Sequence, residues 1–223
     1  MATHQPVPDP RAEAFGYTCR RCSRCCHHKL IQVNPYEIAR LARHRGLSTG
    51  AFRAAFTDDG AGNYLRRAAD DACVFLGPQG CTVHADRPLV CRLYPLGRHV
   101  AADGSERWSH TPPHPQTEGV YSRDGTIAGH IAAQGAEPFL RAADQYVAWV
   151  RRAMHALGGP PARRDVAGAP ATDDLLDMDT AIAAHCAATG VGEPTDIEAR
   201  KDLHLEILHR QLDQVEEGTH AGT

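Results

Sequence analysis

Seven of the eight cysteines in this 223-residue chain fall in two tight groups, and no other feature restricts the possible folds as strongly. The first group reads Cys19-Arg-Arg-Cys22-Ser-Arg-Cys25-Cys26-His27-His28, and the second comprises Cys73, Cys81 and Cys91. Core packing does not gather cysteines in this way. Two thiolates separated by two residues can face one metal ion, because the loop between them turns back and aims backbone N–H groups at sulfur. A C-x2-C-x2-C run offers three corners of a cubane cluster, which a remote cysteine completes.

Seven thiolates exceed the four ligands that one tetrahedral ion takes. Some are then structural, or the site is multinuclear, or there are two sites. The adjacent pair Cys25-Cys26 points the same way, since neighbouring side chains diverge. The candidate metal ligands are Cys19, Cys22, Cys25, Cys26, Cys73, Cys81 and Cys91, with His27, His28 and His84 as alternative donors. Arg20, Arg21 and Arg24 intersperse the first group, while Arg87 and Arg92 bracket Cys91 and are read as cofactor-binding. Cations beside thiolates lower their pKa and balance the charge of a bound centre. Cys186 stands apart, on the apolar face of a predicted helix, and reads as a core residue.

A disulfide framework is the competing account of the cysteines, and it needs an oxidising compartment. The start, MATHQPVPDPR, lacks the basic and then apolar segments of a secretory signal, so the expected location is the reducing cytoplasm. A net charge of −3 gives no electrostatic case for nucleic acid or anionic lipid, and no apolar run reaches the length of a bilayer span. A hydrophobic content of 42% is enough to build a core.

The pattern predicts a mainly α fold with irregular loops and a few short strands, in which metal organises the amino-terminal half and the carboxyl-terminal part is helical. Residues 1–16 read as a flexible arm, 17–157 as a cysteine-cluster metal-binding domain, and 172–217 as a helical hairpin packed on it. A helix begins with Asn34 as cap, Pro35 at the first position and Glu37 three residues after the cap, and it ends at Gly46. A second starts near Ser48 and carries Phe52 and Phe56. Leu30–Val33 and Cys73–Leu76 are candidate strands, 77–80 is a turn, and Arg87-Pro88 opens another turn or a short helix. Residues 101–137, rich in Gly, Pro, His and Ser, read as an ordered loop or a few short elements. Phe139, Ala143, Tyr146, Val147, Val150, Met154 and Leu157 mark a long helix. Leu175, Met178, Ile182 and Cys186 mark the next, and Leu205, Leu208, Leu212 and Val215 the last.

The first cysteine group, together with Cys73-Val-Phe-Leu, Gly80-Cys81-Thr-Val-His and Arg87-Pro88-Leu-Val-Cys91-Arg92-Leu-Tyr94-Pro95, resembles the YkgJ-type cysteine-cluster family. That family is described as a zinc- or iron-chelating domain. Some members are called iron–sulfur oxidoreductases, and a flagellin lysine N-methylase is a relative. The resemblance is close over about residues 19–97, fills all seven cysteine positions and includes the Arg-Pro before Cys91. The stretch from Asp124 to Tyr146 is also similar to the segment after the motif in some members.

The resemblance implies metal chelation and does not fix the metal; the cysteine cluster with His and Arg among its residues points to an iron–sulfur cluster or iron as cofactor, with zinc as the alternative, and to an oxidoreductase-type enzyme acting on a small-molecule or protein substrate. A zinc-stapled interaction module, suggested by the loop-rich amino-terminal half, is a second function, and a methylase-like modifying enzyme, suggested only by the relative, is a third. No catalytic residue is assigned: the chain has no nucleophile elbow, no phosphate-binding loop and no dinucleotide fingerprint.

Overall fold

The computed structural model describes residues 9–58, 64–101, 103–156 and 177–220. In chain order its elements are β1 (Ala14–Thr18), α1 (Pro35–Arg45), α2 (Thr49–Phe56), β2 (Leu76–Gly77), β3 (Gly80–Cys81), α3 (Leu89–Leu93), β4 (Leu96–Val100), β5 (Glu106–His110), β6 (Val120–Thr126), α4 (Ile127–Ala133), α5 (Glu137–Ala156), α6 (Met178–Thr189) and α7 (Ile197–His220). Short 3-10 helices lie at Pro10–Ala12, Arg24–Cys26 and His84–Asp86. Among the described residues the fold is mainly helical with three small antiparallel ribbons, β1–β6, β2–β3 and β4–β5, as the sequence pattern predicts. Among the described residues, no helix is long and apolar enough to cross a membrane.

Contacts divide the chain into two compact units, residues 1–31 with 67–138, and residues 32–66 with 139–223. All seven clustered cysteines belong to the first unit. In it, β1 pairs with β6 across roughly a hundred residues of chain, setting Gly16 against Ser122 and Tyr17 against Tyr121. The β4–β5 hairpin sets Leu96 against His110 and Val100 against Glu106. Residues 1–8 of the expected arm lie outside the described residues, whereas 10–12 and 14–18 are regular structure. Arg11 fastens this segment to the β4–β5 hairpin. Its Nε and Nη2 donate to Glu106 at 2.8 and 2.7 Å, and Arg98 Nε donates to the same carboxylate at 2.6 Å. Phe15 is buried and meets His110 and His130 edge-on, at ring-centre distances of 5.3 and 5.1 Å.

The second unit is helical. The Asn34 side chain accepts from the Glu37 amide at 3.0 Å while Glu37 accepts from the Asn34 amide at 2.9 Å, a reciprocal capping box that opens α1. Gly46, at φ 66°, closes it. Ser48 caps α2, and the Thr49 amide donates to Asp179 at 2.8 Å, tying the start of α2 to the start of α6. Ala39, Met178, Ile182, Cys186 and Ile207 are packed in one buried cluster, so Cys186 is a core residue. Tyr36 meets Phe139 edge-on at 5.5 Å.

Three local expectations change. Leu30–Val33 is not a strand; Gln32 makes a single bridge to Tyr64 instead. Of Cys73–Leu76, only Leu76 enters a strand, and Cys73 makes an isolated bridge to Arg67. On α5 the buried stripe is Phe139, Ala142, Tyr146, Trp149 and Ala153, spaced three and four apart, whereas Val147, Val150 and Met154 are exposed. The sequence carries two adjacent apolar stripes on this helix. Trp149, with the larger surface to remove from water, decides which one faces inward. Leu157, and residues 172–176 of the next expected helix, lie outside the described residues.

Candidate metal centre

The first cysteine group comes after β1 on a tight coil in which Arg21 and Ser23 both take left-handed conformations, at φ 55° and 63°. The coil folds backbone amides onto sulfur. The Arg21 N–H donates to Cys19 Sγ at 3.4 Å, and the Arg24 N–H donates to Cys22. The second group repeats the device, with the Phe75 N–H directed at Cys73 and the Val83 N–H at Cys81. Four cysteines therefore each receive the amide of the residue two positions later. Such bonds favour sulfur in its anionic form.

Main-chain bonds stitch the two groups together. The Cys73 amide donates to the Cys26 carbonyl at 2.8 Å, and the His28 amide donates to the Asp71 carbonyl at 3.0 Å. His27 and Ala72 form an antiparallel bridge between these bonds. Cys81 sits on the β2–β3 hairpin and Cys91 on α3. As a result Cys25, Cys26, Cys73, Cys81 and Cys91 lie in one electrostatic neighbourhood. Cys22 turns elsewhere, to the Glu118 amide and the Thr117 hydroxyl, and Cys19 faces Tyr17.

The electrostatics reflect this arrangement. The Cys26 thiol donates to Cys25, which lowers the Cys25 pKa to about 6; burial opposes the shift, and Lys29 and His27 assist it. The proton retained between the two sulfurs correspondingly raises Cys26. Burial pushes Cys91 up to about 12, with the neighbouring thiols adding to the shift and Lys29 opposing it. Burial also raises Cys73 and Cys81, against the amides of Phe75 and Val83. For Cys22, burial is outweighed by the Glu118 and Arg24 amides and the Thr117 hydroxyl, so its pKa falls.

All eight cysteines are free thiols. Among the described residues, no three histidine, cysteine or carboxylate groups are drawn into a ready metal-holding triad. The donor set nevertheless fits a thiophilic metal in kind, because five thiols share one electrostatic neighbourhood and amides are already aimed at sulfur. Zinc and iron both accept such ligands.

The other residues singled out by the sequence take varied places. Arg87 donates to the His84 carbonyl at 2.7 Å and to the Gln134 side chain, and its charge opposes the rise that burial causes at Cys81. Arg92 is buried, and its guanidinium holds the carbonyls of Arg87 at 2.9 Å, Gln134 at 2.7 Å and Ala85. It clamps the backbone around Cys91. His28 is exposed, with Nδ1 3.3 Å from Asp71, and His27 Nδ1 lies 3.3 Å from the Ser23 carbonyl. Burial lowers the His84 pKa, and Arg87 adds to the effect.

Sequence reasoning missed Lys29 and three tyrosines. Lys29 holds its ammonium 3.7 Å from the centre of the Tyr94 ring; burial lowers its pKa, opposed by the charges of Cys25, Cys91 and Cys26. Tyr17 meets Tyr94 and Tyr121 edge-on at 5.8 and 4.9 Å. One signal was present in the sequence. The chain has 24 basic residues and only two are lysines, Lys29 and Lys201.

The spacing, the stitched loops and the neighbouring thiols agree with a comparison against known families. Residues 18–111 match the CxxCxxCC family, described as "putative zinc- or iron-chelating domain". The CxxCxxCC match takes in all seven clustered cysteines, Lys29 and the β4–β5 hairpin. No curated protein and no solved structure gives a significant match to the chain.

Proposed function

We propose that this chain is a metal–thiolate protein in which Cys19, Cys22, Cys25, Cys26, Cys73, Cys81 and Cys91 supply the ligands of an iron–sulfur centre or of protein-bound iron, serving an oxidoreductase-type reaction on a small molecule or a protein. The carrying observation is the repeated aiming of a backbone amide at sulfur, at Cys19, Cys22, Cys73 and Cys81, which puts a donor where a metal-bound sulfur accepts one. Thiolates outnumber the ligands of a single tetrahedral ion, which favours a centre of more than one metal atom. Free thiols on every clustered cysteine suit a reducing compartment.

A second reading is a zinc staple without catalysis. It is favoured by the size of the elements that carry the second cysteine group: β2 and β3 have two residues each and α3 has five. Elements this short gain little stability of their own, and a bound ion supplies it directly.

Metal analysis and absorption spectra of protein purified without air separate the two. Iron at stoichiometric level, with sulfur-to-iron absorption that bleaches on reduction, supports the first reading. Stoichiometric zinc in a colourless protein leaves only the second. Protein with no bound metal overturns both.

A further inference from the structure

Arg20, Arg21 and Arg24 are exposed on the coil that carries the first cysteine group. Among the described residues, none of the three meets a carboxylate, whereas Arg11, Arg67, Arg98, Arg152 and Arg200 all do. Acid is not scarce in this chain, with 27 acidic residues against 24 basic ones. Three neighbouring guanidiniums left open to water repel one another, and an acidic partner would relieve that repulsion. Arg21 adds a second sign. It stands at φ 55°, a left-handed conformation that glycine enters freely and a larger side chain enters against its preference. A side chain kept at such a position is a candidate for a task.

Apolar surface adjoins the arginines. Val120 pairs with Thr18 and Tyr121 with Tyr17, at the end of β1 from which the coil departs. Val120 is 49% and Tyr121 36% exposed. Glu118, also exposed, is the carboxylate of the adjoining loop, and one acid against three arginines leaves the surface positive. Arginine beside an exposed tyrosine and valine is the composition of a protein-binding surface. A small anion is held instead in a pocket that encloses it, and these side chains stand open.

We propose that Arg20, Arg21 and Arg24, flanked by Val120 and Tyr121, form a docking surface for an acidic protein and bring it up to the cysteine centre. Guanidinium forks match carboxylates in pairs, and the two apolar side chains add contact that excludes water. The purpose of docking rests on the metal–thiolate reading above, and selects a protein over a small molecule there. The docking itself is read from charge, exposure and backbone conformation.

The probe is a short fluorescein-labelled peptide rich in glutamate with one central phenylalanine, titrated with full-length protein purified without air and followed by fluorescence anisotropy at low salt. Its glutamine counterpart, vesicles of phosphatidylserine and phosphatidylcholine, and a single-stranded oligonucleotide are the comparisons. The glutamate peptide is expected to bind more tightly than any of them, and to weaken as salt is added. Replacing two arginines together, Arg20→Gln with Arg24→Gln, is expected to weaken it on the order of ten-fold. Arg20→Lys with Arg24→Lys is expected to weaken it by only about three-fold, since lysine keeps the charge and loses the fork. Thermal unfolding establishes that each variant is folded, and Arg20→Gln alone carries the comparison if the double variant is not. Parental affinity in a folded glutamine variant overturns the proposal. So does equal binding of the glutamine peptide, or tighter binding of the vesicles or the oligonucleotide. Metal loss in the glutamine variant also overturns it, because the arginines then belong to the centre itself. A parent protein that carries no metal overturns the metal–thiolate reading instead, and elemental analysis shows this before any peptide is added.

Discussion

The Tyr146 hydroxyl stands 2.9 Å from Nδ1 of His204, and both side chains are buried in the helical unit, His204 completely. Burial raises the Tyr146 pKa well above the ordinary phenol value, with Asp202 adding to it, so the phenol keeps its proton and is able to donate. The pair joins α5 to α7, as does the buried Lys201, which donates to Gln145 at 2.9 Å. Tyr146→Phe keeps the ring and removes only the hydroxyl, leaving Nδ1 of a buried imidazole without that bond. The expected loss is about 1–2 kcal/mol, seen as a lower urea midpoint at unchanged slope. An unshifted midpoint would show that the bond contributes nothing.

Glu106 governs part of the acid limb of stability. Hydrogen bonding from Arg11, opposed by burial and assisted by Arg98, holds its carboxyl at about 2 against an ordinary 4.5. The folded value lies below the unfolded one, so the ionised carboxylate stabilises the protein above pH 4.5, and that contribution is lost as pH falls from there toward 2. Glu106→Gln is expected to be less stable than the parent near neutral pH and to close the gap across this window. Denaturant midpoints of both proteins, taken as a pH series, check it. Parallel curves would contradict the assignment.

Much of this architecture is written locally, and what is not written depends on distant partners. The α1 boundaries were legible because Asn34, Pro35, Glu37 and Gly46 act within one or two turns. The turn between β2 and β3 was legible in Gly77–Gly80 for the same reason. The gathering of cysteines announced a metal site without any structure. By contrast, β6 carries Ser, Arg, Asp and Gly and lies largely exposed, so no alternation marks it; it exists because β1 pairs with it. The inward face of α5 could not be chosen from periodicity, since Val147, Val150 and Met154 repeat as regularly as the stripe that is buried. Lys29 was passed over because its meaning lies in Tyr94, 65 positions further along the chain. Arg92 is at the right place beside Cys91, but its fork is directed at carbonyls, a distinction that spacing does not reveal.

Two cysteine substitutions separate the cluster from the core. Cys186→Ser places a hydroxyl in the apolar cluster of Met178, Ile182 and Ile207 and is expected to cost about 1–3 kcal/mol while leaving metal content unchanged. Cys81→Ser is expected to lose metal and stability together, because binding and folding are linked. Elemental analysis and thermal unfolding of the two variants in parallel check both halves. Metal loss in Cys186→Ser would overturn the ligand assignment.

X-ray absorption at the metal edge, on full-length protein kept from air, tests the central claim most directly. The account predicts a shell of sulfur neighbours at about 2.3 Å, with metal occupancy that falls when a cysteine of either group, Cys25 or Cys81, is replaced by serine. A shell of oxygen and nitrogen alone, or occupancy indifferent to one of the two groups, would contradict it.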